Sequence, residues 1–222
     1  MRTDMDLQID QIRASLIEMG ERADGMMAAA LRALADADPS AADLVVDTDQ
    51  HLDRAYEQTQ HGVLAVVALH GPVGRDLRML ISFIHVSLHL ERMGDYAVNV
   101  ANTAKRALAF RSDPQIVDQL VRMGESARHV TRTALQAFVD QDTGLAHEVS
   151  GLDDDVDRLN IAIFHRLVRL ASQDDDHLEW ATRMIQLSRQ VERFADHGVD
   201  IAEQAIFVAT GESVELSSND PR

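Results

Sequence analysis

Two segments of the chain, 104 residues apart, align with each other without a gap. The first is MGERADGMMAAALRALADADPSAADLVVDTDQHLDR (residues 19–54), and the second is MGESARHVTRTALQAFVDQDTGLAHEVSGLDDDVDR (residues 123–158). They share 14 identities in 36 positions, including Met-Gly-Glu at the start and Asp-Arg at the end. Two unrelated amphipathic helices would share scattered Ala and Leu but not these blocks in the same order. The sequence therefore indicates an internal duplication.

The duplication continues further along the chain when the offset falls to 101. ERMGDYAVNVA from Glu91 then matches ERFADHGVDIA from Glu192. The apolar i, i+3, i+4 pattern predicts six helices, over residues 4–36, 39–69, 73–110, 114–140, 144–171 and 176–209. We expect an all-α protein of two tandem three-helix bundles, the first over residues 1–111 and the second over residues 112–211.

The prolines and one glycine mark the expected helix boundaries. All four prolines fall at breaks in the apolar pattern, which indicates that each marks an early helical position. We expect helices to start near Pro39, Pro72 and Pro114, and Gly211 to cap the last helix. Residues 212–222 lack apolar periodicity and are expected to form a disordered tail.

The charge balance and the lack of cysteine exclude several classes of protein. The 222 residues include 37 acidic and 21 basic residues, a net charge of −16, so phosphate polymers are repelled and nucleic-acid binding is not expected. With no cysteine, disulfides and thiolate sites are excluded. The acidic start does not resemble a signal peptide, and no window approaches the roughly 18 apolar residues of a membrane span. We expect a cytoplasmic protein.

Each repeat carries two pairs of acids spaced four residues apart, which place both carboxylates on one helix face. Like charges at this spacing destabilise a helix unless a cation neutralises them, so a metal site is predicted. Oxygen ligands without thiolates suit Mg²⁺, Mn²⁺, Ca²⁺ or iron, and Zn²⁺ also remains a candidate. The predicted ligands are Asp49, Asp53, Glu91 and Asp95 in the first repeat and Asp153, Asp157, Glu192 and Asp196 in the second.

Other polar residues near these pairs are weaker candidates. Asn99 and Asp200 lie one turn beyond the acid pair on the third helix of their repeat. Each could be a metal ligand, a group that hydrogen-bonds to a ligand, or a solvated polar residue. His85 and His89 have ligand-like spacing, but His89 lies about 200° around the helix from Glu91 and is not expected to join its site. His197 is interpreted as a packing or surface residue.

No catalytic constellation accompanies the predicted metal sites. Di-iron bundles use Glu-x-x-His, but Gly94 and Ala195 stand where that histidine would be, so an oxygen-activating enzyme is disfavoured. The chain lacks a phosphate loop, a dinucleotide fingerprint and a nucleophile elbow, so no catalytic or organic-cofactor site is predicted. A regulatory adaptor, a metal-dependent enzyme and a structural bundle with solvated acids remain open, and the absence of a nucleophile disfavours the enzyme.

The same residues resemble the PhoU family of bacterial phosphate-transport accessory and signalling proteins. The family hallmark is a tandem E(D)-x-x-x-D motif, matched here by the four acid pairs. Pro72-Val-Gly-Arg-Asp-Leu-Arg78 is also similar to the family's Pro-x-x-x-Asp-Leu-Arg signature. The resemblance runs from the first helix to about Thr210.

The resemblance implies a fold and a regulatory function. The two bundles would be related by a pseudo-twofold, and the paired motifs would bind metal ions, sometimes as clusters. The protein would restrain the phosphate-starvation response when phosphate is plentiful. It would couple the ATPase subunit of a phosphate ABC transporter to a sensor histidine kinase, with a homodimer expected and membrane contact only through those partners.

Overall fold

The computed structural model describes residues 2–216, with side chains from Asp4 onward, and these residues form six helices and no strand. The six helices are α1 (Arg2–Ala35), α2 (Pro39–His70), α3 (Arg75–Ala107), α4 (Pro114–Asp140), α5 (Thr143–Ala171) and α6 (Asp175–Thr210). The predicted all-α class is confirmed. No helix within the described residues is long and apolar enough to cross a membrane.

Aspartates start four of the six helices. Asp38, Asp113, Asp142 and Asp174 each lie in extended backbone before a helix, and each side chain accepts a backbone N–H from the first turn. Such a cap satisfies a donor that the helix itself leaves unpaired. Pro39 and Pro114 then take the first helical position, as the sequence predicts.

The third helix is shorter than predicted at both ends. Pro72 is not an early helical residue, because Gly74 at φ +61° separates it from the helix start at Arg75. A positive φ is a conformation that glycine adopts without steric cost, so the helix cannot begin before it. At the other end the helix stops at Ala107, three residues before the predicted boundary. Pro221 lies outside the described residues.

The chain after α6 is partly described. Gly211 has φ +85° and its N–H bonds to the Phe207 carbonyl, so the predicted helix cap is confirmed. Residues 212–216, which belong to the expected disordered tail, are non-helical but contact the rest of the protein. Val214 and Leu216 pack against the core, and the Leu216 N–H donates to Glu203 Oε1 at 2.8 Å. Residues 217–222 lie outside the described part of the chain.

Each repeat is a three-helix bundle, and the two bundles meet along two seams. Helices α1, α2 and α3 contact one another, as do α4, α5 and α6. Helix α1 contacts α4, and α3 contacts α6, whereas α2 and α5 contact helices of their own repeat alone among the described elements. Equivalent helices therefore pair with each other, as a pseudo-twofold relation requires.

Two repeated glycines explain how closely α1 and α4 approach. A Cβ atom on Gly20 would overlap the side chain of Leu135, and one on Gly124 would overlap that of Leu31. Leu31 and Leu135 are themselves equivalent in the repeat, so one contact is the pseudo-twofold image of the other. The glycine of each Met-Gly-Glu thus leaves the space into which a leucine of the other repeat packs.

A partly buried ion pair joins α1 to α4 beside these glycine–leucine contacts. Arg128 donates two hydrogen bonds to Asp24, at 2.9 and 2.6 Å, and Arg132 donates a third at 2.9 Å. Burial acts to lower the pKa of Arg128, but its bonds to Asp24 and Glu125 outweigh that effect and raise it. Asp24 and Arg128 occupy equivalent positions of the two repeats, 104 residues apart. At this point of the seam the two repeats therefore differ in residue type, and the two residues have opposite charge.

Candidate metal centres

The structure brings the four predicted carboxylates of the first repeat together between α2 and α3; we call this set the first quartet. Asp49 and Asp53 come from α2, and Glu91 and Asp95 come from α3. Burial, followed by the charges of Asp53 and Asp95, raises the pKa of Asp49 to about 6. Burial also raises the pKa of Glu91, with contributions from all three other members. The quartet is therefore a concentrated negative site.

Gly94 provides the space in which Asp49 lies. A Cβ atom at Gly94 would be 2.5 Å from Leu52 Cδ1 and 3.1 Å from Asp49 Oδ1. Gly94 thus leaves room for side chains of α2, and the backbone of α2 does not come close to it. At the equivalent position the second repeat has Ala195, which is fully buried.

The equivalent residues Asp153, Asp157, Glu192 and Asp196 form the second quartet between α5 and α6. Burial raises the pKa of Asp153 to about 7, and Asp196, Asp157, Asp154 and Glu192 add to the rise. Burial and the charges of Glu192 and Asp157 likewise raise the pKa of Asp196 to about 6. Asp153 is only 7% exposed, so the second quartet holds the more deeply buried carboxylate.

Each quartet contains a buried carboxylate oxygen that lacks a hydrogen bond. Within the described chain, no donor bonds to Glu91 Oε2 or to Asp153 Oδ1. Arg92 offsets part of the charge in the first quartet, at 3.6 Å from Glu91 and 3.3 Å from Asp95. Buried carboxylate oxygens without a hydrogen bond are costly unless a cation neutralises their charge. This donor set fits a hard metal ion with oxygen ligands.

The tightest group of ligand-type atoms lies elsewhere, at the contact of α3 with α6. In residues 4–216, His89, His197 and Asp200 alone bring three such atoms within 4.8 Å of one another. The Nδ1 atoms of the two histidines are 2.9 Å apart, and Asp200 Oδ2 lies 3.0 Å from His197 and 3.2 Å from His89. We call this group the seam triad. In neither quartet do three ligand-type atoms come within 4.8 Å of one another.

The seam triad is not among the sites that the sequence predicts. His89 lies off the Glu91 stripe and instead faces α6, where its Nδ1 atom is close to His197 and Asp200. The Tyr96 and His197 rings stack at 5.4 Å between centroids, so the predicted packing role of His197 is one part of its environment. A usable signal was available, since both histidines lie within two residues of an acid pair on the two equivalent helices.

The two weaker candidates also lie along this seam. Asn99 Nδ2 donates to Gln190 Oε1 at 3.4 Å. Burial acts to raise the pKa of Asp200, but the hydrogen bond from His197 and the nearby His89 lower it overall. Asn99 thus bonds across the seam to α6, while Asp200 bonds to His197 on its own helix and contacts His89 across the seam.

Comparison with known proteins identifies both repeats. The family model described as "PhoU domain" matches residues 16–104 and again residues 120–205. These two stretches contain both quartets and account for most of the chain.

Curated relatives and solved structures agree with this match. A phosphate-specific transport system accessory protein PhoU homolog of Clostridium acetobutylicum is 28% identical, over 94% of this chain and 95% of the relative. The homolog of Caulobacter vibrioides is 30% identical, over 97% and 93%. The crystal structure of PhoU from Pseudomonas aeruginosa superposes with a TM-score of 0.88 at 28% identity, over 93% of this chain and 99% of that one. These names describe accessory proteins rather than enzymes.

Proposed function

The chain belongs to the PhoU family, and we propose that it regulates phosphate uptake and restrains the phosphate-starvation response when phosphate is plentiful. The observation that carries the proposal is the match of both repeats to the PhoU domain, each with its quartet of carboxylates in place. Relatives covering nearly the whole chain are named as accessory proteins of phosphate-specific transport. A solved relative from Streptococcus pneumoniae is titled a regulatory protein of the phosphate transport system, and it has a TM-score of 0.87.

The regulation we propose acts through protein partners in the cytoplasm. The protein would couple the ATPase subunit of the phosphate ABC transporter to a sensor histidine kinase. Apolar side chains on the outer helices suit such partners or a second copy of the chain: on α2 Leu64 and Leu69 are 61% and 71% exposed, and on α5 Ile161, Phe164 and Val168 are also exposed. Exposed apolar groups of this kind mark interaction surfaces when they are contiguous.

We propose further that each quartet binds metal. The carboxylates of α2 with α3, and of α5 with α6, would be the ligands, and the ion would supply the positive charge that offsets their repulsion. Iron, Mg²⁺, Mn²⁺ and Zn²⁺ are the candidates. Bound ions would hold α2 to α3 in the first bundle and α5 to α6 in the second, which is a structural rather than a catalytic role.

A strain lacking this protein and any close duplicate tests the regulatory role. In phosphate-rich medium, we expect its phosphate-scavenging genes to be expressed, and the wild-type protein to repress them again. Pull-downs with the wild-type protein should then recover the kinase or the transporter ATPase. Normal repression in the deletion strain would refute the proposal.

Metal content separates the quartets from ordinary surface acids. We expect Asp49→Asn with Asp53→Asn to reduce bound metal in the first quartet, and Asp153→Asn with Asp157→Asn to do so in the second. Asp43→Asn with Asp47→Asn is the matched control, because this pair has the same spacing on α2 but is exposed. Elemental analysis of purified protein measures the result, and equal metal content in all variants would contradict the assignment.

A further inference from the structure

The seam triad joins the two bundles where the quartets do not. His89 belongs to α3 of the first repeat, while His197 and Asp200 belong to α6 of the second. The quartets, in contrast, each lie within a single bundle. The triad side chains are 18%, 20% and 42% exposed, so they are held by the seam but remain reachable from solvent.

The spacing of the triad atoms matches that of ligands around one ion. Protein nitrogen and oxygen ligands lie about 2.0–2.2 Å from Zn²⁺, so two ligands at neighbouring positions of one ion are roughly 3 Å apart. The three observed separations are 2.9, 3.0 and 3.2 Å. An ion about 1 Å out of the plane of these atoms would contact all three at normal distances.

Hydrogen bonds alone do not satisfy this arrangement. A neutral imidazole has at most one N–H, so each Nδ1 atom donates to one partner or accepts. If both Nδ1 atoms carry a hydrogen, both can donate to Asp200 Oδ2, but the two donor nitrogens then lie only 2.9 Å apart with no acceptor between them. If only one does, the other nitrogen and the carboxylate oxygen face each other with lone pairs, at 3.0 or 3.2 Å. A cation facing three lone pairs satisfies all three contacts together.

The other half of the molecule provides an internal comparison. The offset of 101 places Gln190, Tyr96 and Asn99 at the positions equivalent to His89, His197 and Asp200. There the seam closes with an amide hydrogen bond from Asn99 to Gln190. Packing of α3 on α6 therefore does not itself require histidine or aspartate at these positions.

We propose that His89, His197 and Asp200 together bind one divalent transition metal ion, with Zn²⁺ the expected ion, and that this ion clips α3 to α6. Two imidazoles and one carboxylate form a ligand set that suits zinc and other borderline metals, unlike the all-oxygen quartets. Three protein ligands leave at least one position for water. This site goes beyond the proposed regulatory function and does not depend on it.

The test compares two variants with a matched control, in full-length protein without a histidine tag. The triple variant His89→Gln, His197→Tyr, Asp200→Asn copies the other half of the seam. The single variant Asp200→Asn removes one ligand and is used if the triple variant does not fold. His85→Ala is the control, because His85 lies on α3 one turn before His89 but outside the triad.

Equilibrium dialysis with Zn²⁺ in excess Mg²⁺ measures the site, since Mg²⁺ competes for the oxygen-only quartets. We expect the triple variant to lose one bound Zn²⁺, Asp200→Asn to bind it at least about 10–100-fold more weakly, and His85→Ala to bind it normally. Visible absorption of bound Co²⁺ should disappear in the triple variant while the quartets remain intact. Unchanged zinc stoichiometry in a folded triple variant, unchanged zinc affinity in Asp200→Asn, or equal loss in His85→Ala would overturn the proposal.

Discussion

At the scale of single residues, Asp153 shows how a carboxylate can be destabilising by itself and useful with a cation. It is 7% exposed, one of its oxygens has no hydrogen bond from any described donor, and four neighbouring acids face it. Asp154 and Asp157 face it from its own helix, and Asp196 and Glu192 from α6. Burial and these charges together raise its pKa to about 7.

Asp153→Asn should therefore have opposite effects in the two metal states. Without metal at pH 8, we expect the variant to be more stable than wild type by on the order of 1–3 kcal/mol, because the buried charge is removed. With saturating metal, we expect it to gain less stability than wild type. Urea unfolding with chelator and with metal measures both effects.

The control for this residue is Glu148→Gln on the same helix, since Glu148 is exposed. Its unfolding free energy should stay within about 0.5 kcal/mol of wild type in both states. A metal-free Asp153→Asn protein that is less stable than wild type at pH 8 would show that the carboxylate is satisfied without a cation.

At the scale of elements, the α1–α4 seam depends on glycines that accept leucines. Leu31 is 2% exposed and its whole branched end, both methyl groups and Cγ, lies close to the position of a Cβ on Gly124. A small shift of one methyl group cannot relieve that overlap. The repeated Met-Gly-Glu is therefore a packing motif between the repeats rather than part of a quartet.

Gly124→Ala should destabilise the protein by about 1–3 kcal/mol, because it overpacks the contact with Leu31. Gly151→Ala on α5 is the matched control, since a Cβ there has nothing within 4 Å and helical alanine is favoured by about 0.5–1 kcal/mol over glycine. Thermal unfolding of both variants measures the difference. Equal stabilisation by the two substitutions would mean that the seam yields without cost.

At the scale of the whole molecule, the quartets link stability to pH. Burial and mutual repulsion raise the pKa values of Asp49 and Asp153 to about 6 and about 7, from about 4 in the unfolded chain. Between about pH 4 and pH 7 the folded protein thus binds more protons at these groups than the unfolded chain does. Their contribution to the free energy of unfolding falls as pH rises through this window.

We expect metal-free wild-type protein to lose stability between pH 4 and pH 7 relative to the variant Asp49→Asn, Asp153→Asn. Burial lowers the pKa of His89 to about 4, which gives the opposite trend over part of this range. Both proteins share that histidine, so it cancels in the comparison. Urea unfolding across the pH range in chelator is the measurement, and parallel curves for the two proteins would contradict the prediction.

Helix periodicity and spacing are local properties that residues three and four apart reveal, so the six helices, the duplication and the four acid pairs can be read from the sequence. It misplaced the start of α3, since the positive φ of Gly74 depends on the turn that connects α2 to α3. How the two repeats face each other is visible only in the folded molecule. His89 and His197 are 108 residues apart and Gly20 meets Leu135, because contacts between helices depend on the depth and direction of their packing, which periodicity does not encode.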